Sequence, residues 1–207
     1  MAEYHLQIPL KDEDIVKIRI GDCVYFSGEA WTGRARLHKR VFDEGHALPF
    51  STKDRNVLIH VGPVIVRDGG EWKLTAFTPT SSIQVDNWGP RAVREWGLKA
   101  IVGKTTMGKL TMLAMKESTC IHASPIGIVP GLFVDQIEVV DVYWYDELGS
   151  MEAAWLLKVN ELGPFLVDID SEGRNYFEQV NATIDRNKEQ AYRILGIPDD
   201  FEYTNLY

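Results

Sequence analysis

The stretch Gly21–Arg40, GDCVYFSGEAWTGRARLHKR, joins a segment typical of a β-strand to one typical of a helix. Its strand-like part, CVYFSGEAW, is rich in aromatic and β-branched residues and ends at a glycine-containing turn. Beyond the turn, Leu37, Val41 and Phe42 recur at helical spacing, which predicts a helix over Arg34–Glu44 with these residues facing inward. Thr32 is a candidate N-cap for this helix.

The same stretch is unusually basic for this chain. Its last ten residues carry four cations and a histidine, whereas the whole chain has a formal net charge of −8. Three interpretations are open: an exposed helix face, a nucleic-acid patch, or a pocket for an anion. The acidic balance argues against general nucleic-acid binding, which usually shows as a basic domain or stripe. An exposed face is favoured for Arg36, Lys39 and Arg40, whereas for Arg34 and His38 an anion site at the helix N-terminus is equally open.

The rest of the chain mixes strand and helix signals without strict alternation. Strand-like segments are HLQIPL, VLIHVGPVIV, EWKLTAF, AIVGK, CIHASP, VVDVYWY, AAWLLKV and FLVDID. Asp68-Gly69-Gly70 separates the second and third of these, which predicts a hairpin. Helices are predicted at Lys11–Lys17, near Leu110–Glu117, and at Tyr176–Leu195. The pattern predicts an α/β domain with mixed sheets, and, without a repeat or linker, a single domain over residues 1–207.

Composition limits the class of protein. The chain has 207 residues, 45% hydrophobic and 25% charged, which is ordinary for a globular domain. No apolar run approaches the roughly 18 residues that span a bilayer, and the N-terminus lacks the pattern of a signal peptide. The chain has two cysteines, Cys23 and Cys120, with no C-x-x-C spacing and no metal-ligand set. We therefore expect a cytoplasmic protein with no membrane and no nucleic-acid partner.

A second loop carries hydroxyl groups. The segment TPTSSIQVDNW follows a strand and contains Thr78, Thr80, Ser81 and Ser82. A hydroxyl near a buried cation and an anionic ligand can serve in proton transfer if its pKa is lowered. Serine and threonine after proline are also ordinary capping residues, and spacing alone favours that interpretation.

A third loop, IVGKTTMG, ends like a phosphate-binding loop. The upstream glycine of that motif is missing, because position 98 is Leu98, so a nucleotide-binding loop is rejected. Lys104 remains as an ammonium group in a strand-to-helix loop. Arg34, Lys104 and the hydroxyls suit a small carboxylated molecule, but they include neither an obvious strong base nor a metal, so an enzyme of this kind would need a partner.

The order and spacing of these motifs resemble the β-subunit of L-tartrate dehydratase, equivalent to the C-terminal domain of iron–sulfur (class I) fumarases. The resemblance covers about residues 10–180. GDCVYFSGEAWTGRARLHKR stands against G-D-x-x-x-x-[ST]-G followed by T-x-R-D-x-x-H-[KR]-R, and TPTSS against G-P-T-T-S-x-R-M. IVGKTTMG stands against V-G-K-G-G-M-G, and the segment ending in IDSEGR against I-D-x-x-G-N.

The resemblance implies a swivelling β/β/α domain similar to the mobile domain of aconitase. It also implies a separate α-subunit that holds a [4Fe-4S] cluster, in which one iron acts as a Lewis acid on the substrate hydroxyl. Cys23 and Cys120 would not be cluster ligands. A small carboxylate substrate would lie between the two subunits of a hetero-oligomer, with α2β2 as one possible form.

The resemblance also implies roles for residues of this chain. Arg34 and Lys104 would bind carboxylate groups, and Lys104 would belong to the catalytic set. Thr80 would carry the proton-transfer hydroxyl. His38 and Ser81 fall at matching motif positions and are predicted to line the substrate site, as is Gln84 at a position discussed next.

Four positions depart from the family pattern. Ala35 replaces an aspartate, Gln84 replaces the second substrate arginine, and Thr105 and Thr106 replace two glycines beside Lys104. Losing a cation that pairs with a desolvated carboxylate costs about 2–5 kcal/mol. These changes predict a hydro-lyase with altered substrate specificity.

Other sources of charge and other functions stay open. Arg36, Arg91 or Arg94 are alternative sources of the second positive charge. One rival function is a non-catalytic module that binds a small anion in the same pocket. A second rival is a lyase on the same scaffold that no longer uses a cluster.

Overall fold

The computed structural model describes residues 1–127, 129–198 and 200–201. The strands in this part are β1 (Glu3–Gln7), β2 (Cys23–Thr32), β3 (Val57–Ile59), β4 (Val64–Asp68), β5 (Glu71–Ala76), β6 (Ala100–Val102), β7 (Ile121–Pro125), β8 (Ile137–Tyr143) and β9 (Ala154–Ile169). The helices are α1 (Asp12–Ile15), α2 (Ala35–Phe42), α3 (Gly89–Glu95), α4 (Lys109–Glu117), α5 (Tyr145–Leu148) and α6 (Tyr176–Leu195). Short 3-10 turns lie at Ser82–Val85 and Val134–Gln136. The predicted α/β class with a mixed sheet is confirmed.

Seven strands form one sheet in the order β1-β2-β3-β6-β7-β9-β8, and β2 also pairs with β9. The neighbours from β1 to β7 are parallel, whereas β9 runs antiparallel to β2, β7 and β8. Because β9 contacts both β7 and β2, the strands β2, β3, β6, β7 and β9 form a closed circuit. The predicted hairpin is confirmed as the antiparallel pair β4–β5.

The short parallel strands are buried on both faces, which explains their continuous apolar sequences. In β3, Val57 and Ile59 belong to one core cluster, whereas Leu58 between them belongs to a second. In β6, Ile101 joins the second cluster while its two neighbours join the first. The second cluster also contains buried residues of α2, α3 and α4, so these helices cover one side of the circuit.

The stretch Gly21–Arg40 forms a strand followed by a helix, as predicted. The cap prediction is wrong, because Arg34 occupies the N-cap position of α2 and Thr32 is still in β2. The buried Thr32 hydroxyl donates to Ala153 O at 3.3 Å and accepts from Trp155 N at 3.1 Å. Thr32 therefore fastens β2 to the beginning of β9.

Several boundaries differ from the predictions. VLIHVGPVIV is interrupted between β3 and β4, since Gly62 and Pro63 lie in neither strand. AAWLLKV and FLVDID form the single strand β9, and α1 is shorter than predicted. The helices α3 and α5 were not predicted, because each spans two turns or fewer and gives little periodic signal.

The terminal helix is confirmed at Tyr176–Leu195, where Asn175 caps it by accepting from Phe177 N and Glu178 N. None of its residues is buried. Within the described residues, no helix combines the length and apolar character needed to cross a bilayer. The single domain over residues 1–207 stays a prediction, and positions 128, 199 and 202–207 lie outside the described residues.

Candidate functional site

The second and third predicted loops meet where two neighbouring parallel strands end. β3 leads into His60 and β6 leads into Lys104. The intervening segment is held by backbone bonds: Thr80 N donates to His60 O at 2.6 Å, Lys104 N donates to Thr80 O at 2.9 Å, and Ser82 N donates to Lys104 O at 2.9 Å. The fold thus brings the backbones of Thr80, Ser81 and Lys104 together, whereas their shared role in a substrate site stays a prediction.

Arg34 lies against the same junction. A Cβ atom placed on Gly62 would lie 2.7 Å from Arg34 Nη1, so only glycine leaves room for the guanidinium there. Gly62 follows Val61, which pairs with Pro79 directly before Thr80. The Arg34 guanidinium therefore packs beside a backbone segment that pairs with the residue preceding Thr80.

Glu152 is a site residue that the sequence analysis did not identify. Its Oε1 lies 3.4 Å from Arg34 Nη1, and its Oε2 accepts from Arg36 N at 3.0 Å in the first turn of α2. A carboxylate at a helix N-terminus is stabilised by the unpaired N–H groups there. Glu152 is more than 100 residues away in sequence, so no local pattern could connect it with Arg34.

His38 is closed off from the surface. The side chain is 1% exposed, and its Nδ1 lies 2.9 Å from Arg34 O. Because a carbonyl oxygen only accepts, Nδ1 carries the proton in this contact. Burial lowers the pKa of His38 from 6.5 to about 4, so the ring is neutral at neutral pH. In this structure His38 holds the backbone of Arg34, and its ring does not present itself to a substrate.

Four buried polar side chains lie directly beneath the junction. His60 Nδ1 and His122 Nε2 each lie 2.8 Å from Ser82 Oγ, and His122 Nδ1 lies 2.7 Å from Asp168 Oδ1. All four side chains are at most 2% exposed. Burial, with smaller contributions from His38 and His122, lowers the pKa of His60 well below its usual value. Ser82 was noted as part of a hydroxyl cluster, but the two histidines and the aspartate were not predicted.

The order Asp168–His122–Ser82 is that of a nucleophilic triad. Ser82 does not fit the role of nucleophile, because it is 0% exposed and its hydroxyl contacts a second histidine, His60. Ser82 instead provides a buried hydroxyl that is hydrogen-bonded to both His60 and His122.

Gln84 lies in the 3-10 turn Ser82–Val85 and is exposed. The alternative cations named in the sequence analysis have partners of their own. Arg36 donates to the carbonyls of Leu148 and Glu147, Arg91 pairs with Glu95, and Arg94 pairs with Glu117. Each of the three alternative cations is therefore already paired in the described structure.

The basic helix α2 is exposed at two of its three predicted positions. Arg36 and Lys39 are exposed, as predicted, with 61% of the Lys39 side chain accessible, whereas Arg40 is only partly exposed. Arg36 binds the end of α5, and Arg40 lies over the Trp144 ring at 5.1 Å with 19% of its side chain accessible. The arginines fasten α2 to α5, which is why the helix carries so much charge.

The two threonines beside Lys104 have different environments. Thr105 has φ +68°, a left-handed conformation that costs a β-branched residue roughly 1–2 kcal/mol. Thr106 Oγ1 accepts from Asn175 Nδ2 at 2.8 Å, which ties the loop to the start of α6. The backbone at position 105 therefore has the geometry that favours the glycine of the family pattern.

Both cysteines are buried and unpaired within the described residues. Burial raises the pKa of the Cys120 thiol to about 12 and also raises that of Cys23. Within the described residues no group of three or more His, Cys, Asp or Glu side chains is arranged to hold a metal. A cavity of about 810 Å³ lies elsewhere, near Phe50, Arg91 and Trp96, and contains none of the predicted site residues.

The sequence that forms these loops matches one protein family over most of its length. Residues 2–180 match the family described as Fumarase C-terminus, and the chain belongs to it.

Among its relatives are L(+)-tartrate dehydratase subunit beta of Escherichia coli, 31% identical over 171 residues, or 82% of this chain and 84% of the relative. A protein of Methanocaldococcus jannaschii with the provisional name of L(+)-tartrate dehydratase subunit beta is 30% identical over 192 residues, or 91% of this chain and 96% of the relative. A protein of Geobacillus stearothermophilus with the provisional name of class I fumarate hydratase is 32% identical over 176 residues. That match covers 84% of this chain but 34% of the relative.

The buried neutral His38 predicts a dependence of stability on pH. An unfolded histidine takes up its proton near pH 6.5, whereas folded His38 does so near pH 4. The stability contributed by the neutral His38 ring is therefore fully present above pH 6.5. It is lost as the pH falls towards 4, which lowers the free energy of unfolding by up to about 3 kcal/mol. Urea unfolding between pH 7 and 4 should show a smaller loss for His38→Asn, which keeps a side-chain N–H donor but cannot titrate.

The exposed His46 provides a control for this measurement, because its side chain forms no ion pair within the described residues. His46→Asn replaces a histidine with the same residue type, at a site where no buried ring is removed, and should not reduce the pH dependence as His38→Asn does. A His38→Asn variant with the full wild-type pH dependence would contradict the assignment of His38 as neutral in the folded state.

Proposed function

We propose that the chain is the β-type subunit of a hydro-lyase that adds or removes water on a small carboxylate. The observation that carries the proposal is the meeting of three separate loops: backbone hydrogen bonds join the segments of Thr80 and Lys104, and the Arg34 guanidinium packs beside Gly62 in the adjoining segment. A cation, a hydroxyl and an ammonium in that arrangement suit an anionic substrate that must lose or gain a proton.

In this proposal Arg34 and Lys104 bind carboxylate oxygens. Arg34 offers a planar set of donors, and Glu152 takes up one side of it at 3.4 Å. That ion pair orients the guanidinium before substrate arrives, so that less side-chain entropy is lost on binding. Because Glu152 is already paired with Arg34, a substrate carboxylate must either displace Glu152 or bind the guanidinium together with it.

Thr80 is the proposed proton-transfer group. Its Oγ1 donates to His60 O at 3.0 Å, which fixes the direction of the hydroxyl. Transfer would need this bond to break or lengthen when substrate binds, because a hydroxyl has a single proton. Ser81 and Gln84 are proposed to line the site, and His38 to act on it through the backbone of Arg34.

The partner proposal rests on the family to which the chain belongs. We propose an α-type subunit that carries a [4Fe-4S] cluster, since a relative of this chain is named as the beta subunit of L(+)-tartrate dehydratase. The substrate would lie between the subunits of a hetero-oligomer, with α2β2 as one form. We also propose that the chain acts as one swivelling β/β/α domain, similar to the mobile domain of aconitase.

The rival with an observation in its favour is a non-catalytic anion-binding module. Gln84 in place of the family arginine leaves the site one cation short, which would weaken catalysis on a dicarboxylate more than binding of a single anionic group. Tight binding of a carboxylate by the isolated chain, without any α-type partner, would favour this rival.

Co-expression tests the proposed assembly. We expect this chain to copurify with a three-cysteine α-type subunit encoded next to it, and the anaerobically reconstituted complex to hydrate or dehydrate a small carboxylate. Failure of the two chains to associate would contradict the proposal. Iron content of the active complex separates a cluster-dependent hydro-lyase from a lyase that has lost its cluster.

Arg34 and Lys39 form a matched pair in the same helix region. Arg34→Ala should lower kcat/KM by at least about 30-fold, since truncating one partner of a desolvated charge pair costs about 2–5 kcal/mol. Lys39→Ala should change it less than about 2-fold, because the side chain is 61% accessible and pairs only weakly with Glu44 at 4.0 Å. Equal losses in both variants, at equal stability, would contradict the assignment of Arg34.

Gln84 predicts the substrate class. An uncharged amide facing the substrate favours an amide, hydroxyl, carbonyl or ester group at that end over a second carboxylate. We expect the wild-type complex to use fumarate and L-tartrate poorly and Gln84→Arg to improve both, as measured by kcat/KM. A wild-type value on the order of 10⁴ M⁻¹s⁻¹ or higher on either substrate would show that the altered-substrate proposal is wrong.

A further inference from the structure

We propose that Asp168, His122, Ser82 and His60 form one directed hydrogen-bond chain that positions Thr80 and Lys104. This inference rests on the proposed function for the roles of Thr80 and Lys104, but the geometry of the chain is independent of it. The four side chains act on the site through the backbone, so they are positioning residues.

The chain joins four separate segments at the ends of the parallel strands. Asp168 lies in β9, His122 in β7, Ser82 in the turn that follows the hairpin, and His60 directly after β3. Successive contacts of 2.7, 2.8 and 2.8 Å connect them. Buried hydrogen bonds in a low-dielectric interior are strong and specific when every link is satisfied, so the chain fixes these segments relative to one another.

The direction of the donors follows from the acceptor at one end. A carboxylate oxygen is the natural acceptor of this pair, so Asp168 Oδ1 accepts the hydrogen bond from His122 Nδ1. His122 Nε2 then accepts from the Ser82 hydroxyl, and Ser82 Oγ accepts from His60 Nδ1. Each link has one donor and one acceptor in this direction.

The unpaired ends support the same direction. His60 Nε2 and Asp168 Oδ2 are buried and have no hydrogen-bond partner within the part of the chain that the structure describes. When every donor points towards Asp168, the two unpaired atoms, His60 Nε2 and Asp168 Oδ2, are both acceptors. The reverse direction would leave His60 Nε2–H as a buried donor without a partner, and such N–H groups are rarer in proteins than unpaired acceptors.

The chain reaches the predicted site through two backbone groups. His60 O accepts from both Thr80 N at 2.6 Å and Thr80 Oγ1 at 3.0 Å. Ser82 N donates to Lys104 O at 2.9 Å. Ser82 and His60 therefore have two functions. Their side chains belong to the hydrogen-bond chain, and their backbone groups bind Lys104 and Thr80.

Gly103 shows how closely this arrangement is packed. A Cβ atom at position 103 would lie 1.9 Å from Ser82 Oγ and 3.3 Å from His60 Nδ1. The backbone before Lys104 thus rests directly on the Ser82 hydroxyl. A change in the position of that hydroxyl would move the segment that carries Lys104.

Two replacements of His122 separate the two halves of the chain. Gln places its amide near the position of Nε2 and can keep the contact with Ser82, whereas Asn places its amide near Nδ1 and can keep the contact with Asp168. In the reconstituted complex, His122→Asn should lower kcat by about 100-fold, the scale expected when reacting groups are misplaced by about 1 Å. His122→Gln should lose less than about 10-fold, with KM changed little in both.

Asn56→Ala is the control, because Asn56 is also buried but its side chain bonds to Leu10 N at 2.9 Å and Leu10 O at 2.8 Å, at the opposite end of β3 from His60. We expect its kcat to stay within about 3-fold of the wild type. Equal kcat losses in His122→Asn and His122→Gln, at equal unfolding midpoints, would show that His122 is only structural and would overturn the proposal.

The histidine tautomers test the chain without any activity measurement. In ¹⁵N spectra of the full-length wild-type chain, His60 and His122 should both carry a single proton on Nδ1, and Ser82→Ala should alter the signals of both rings. A proton on His60 Nε2, or a doubly protonated His122, would overturn the proposed direction. If the tautomers are as expected but the wild-type complex has no hydro-lyase activity, the proposed function is wrong and the proposed hydrogen-bond chain is retained.

Discussion

The antiparallel pairing of β9 with three other strands is the constraint on which the rest of the structure depends. β9 is 16 residues long and pairs with β2, β7 and β8, so it closes the circuit that the short parallel strands begin. Glu152 lies just before β9 and Asp168 near its end. The ion pair with Arg34 and the buried end of the hydrogen-bond chain therefore both depend on its register, and a one-residue slip would exchange its two faces.

The site combines a charged surface layer with a neutral layer beneath it. Arg34, Glu152 and Lys104 keep partial exposure, whereas His38 and His60 are almost fully buried and have lowered pKa values. Charging a buried imidazole would require solvation that the interior does not supply. Neutral rings can still order the backbone, and the cations above them remain available to an anion.

Local patterns in the sequence predict much of the fold and part of the site. The strand-to-helix stretch, the hairpin and α6 were predicted because each has its own periodicity or turn residues. Arg34, Thr80 and Lys104 were identified from loop motifs and the family resemblance. Glu152, His122 and Asp168 were not, because their importance arises from contacts between residues 40 or more positions apart. Thr32 was wrongly assigned as a cap because its hydroxyl serves the strand pair instead.

The conformation of Thr105 has a consequence for how the Lys104 loop can change. A φ of +68° is unfavourable for a β-branched residue, so the interactions of the flanking segments must impose this conformation on Thr105. The loop therefore stores roughly 1–2 kcal/mol of conformational strain that it would not store with glycine at this position. A return of residue 105 to an ordinary conformation would release that energy, whereas a glycine, which adopts either sign of φ about equally, would gain nothing from the same change.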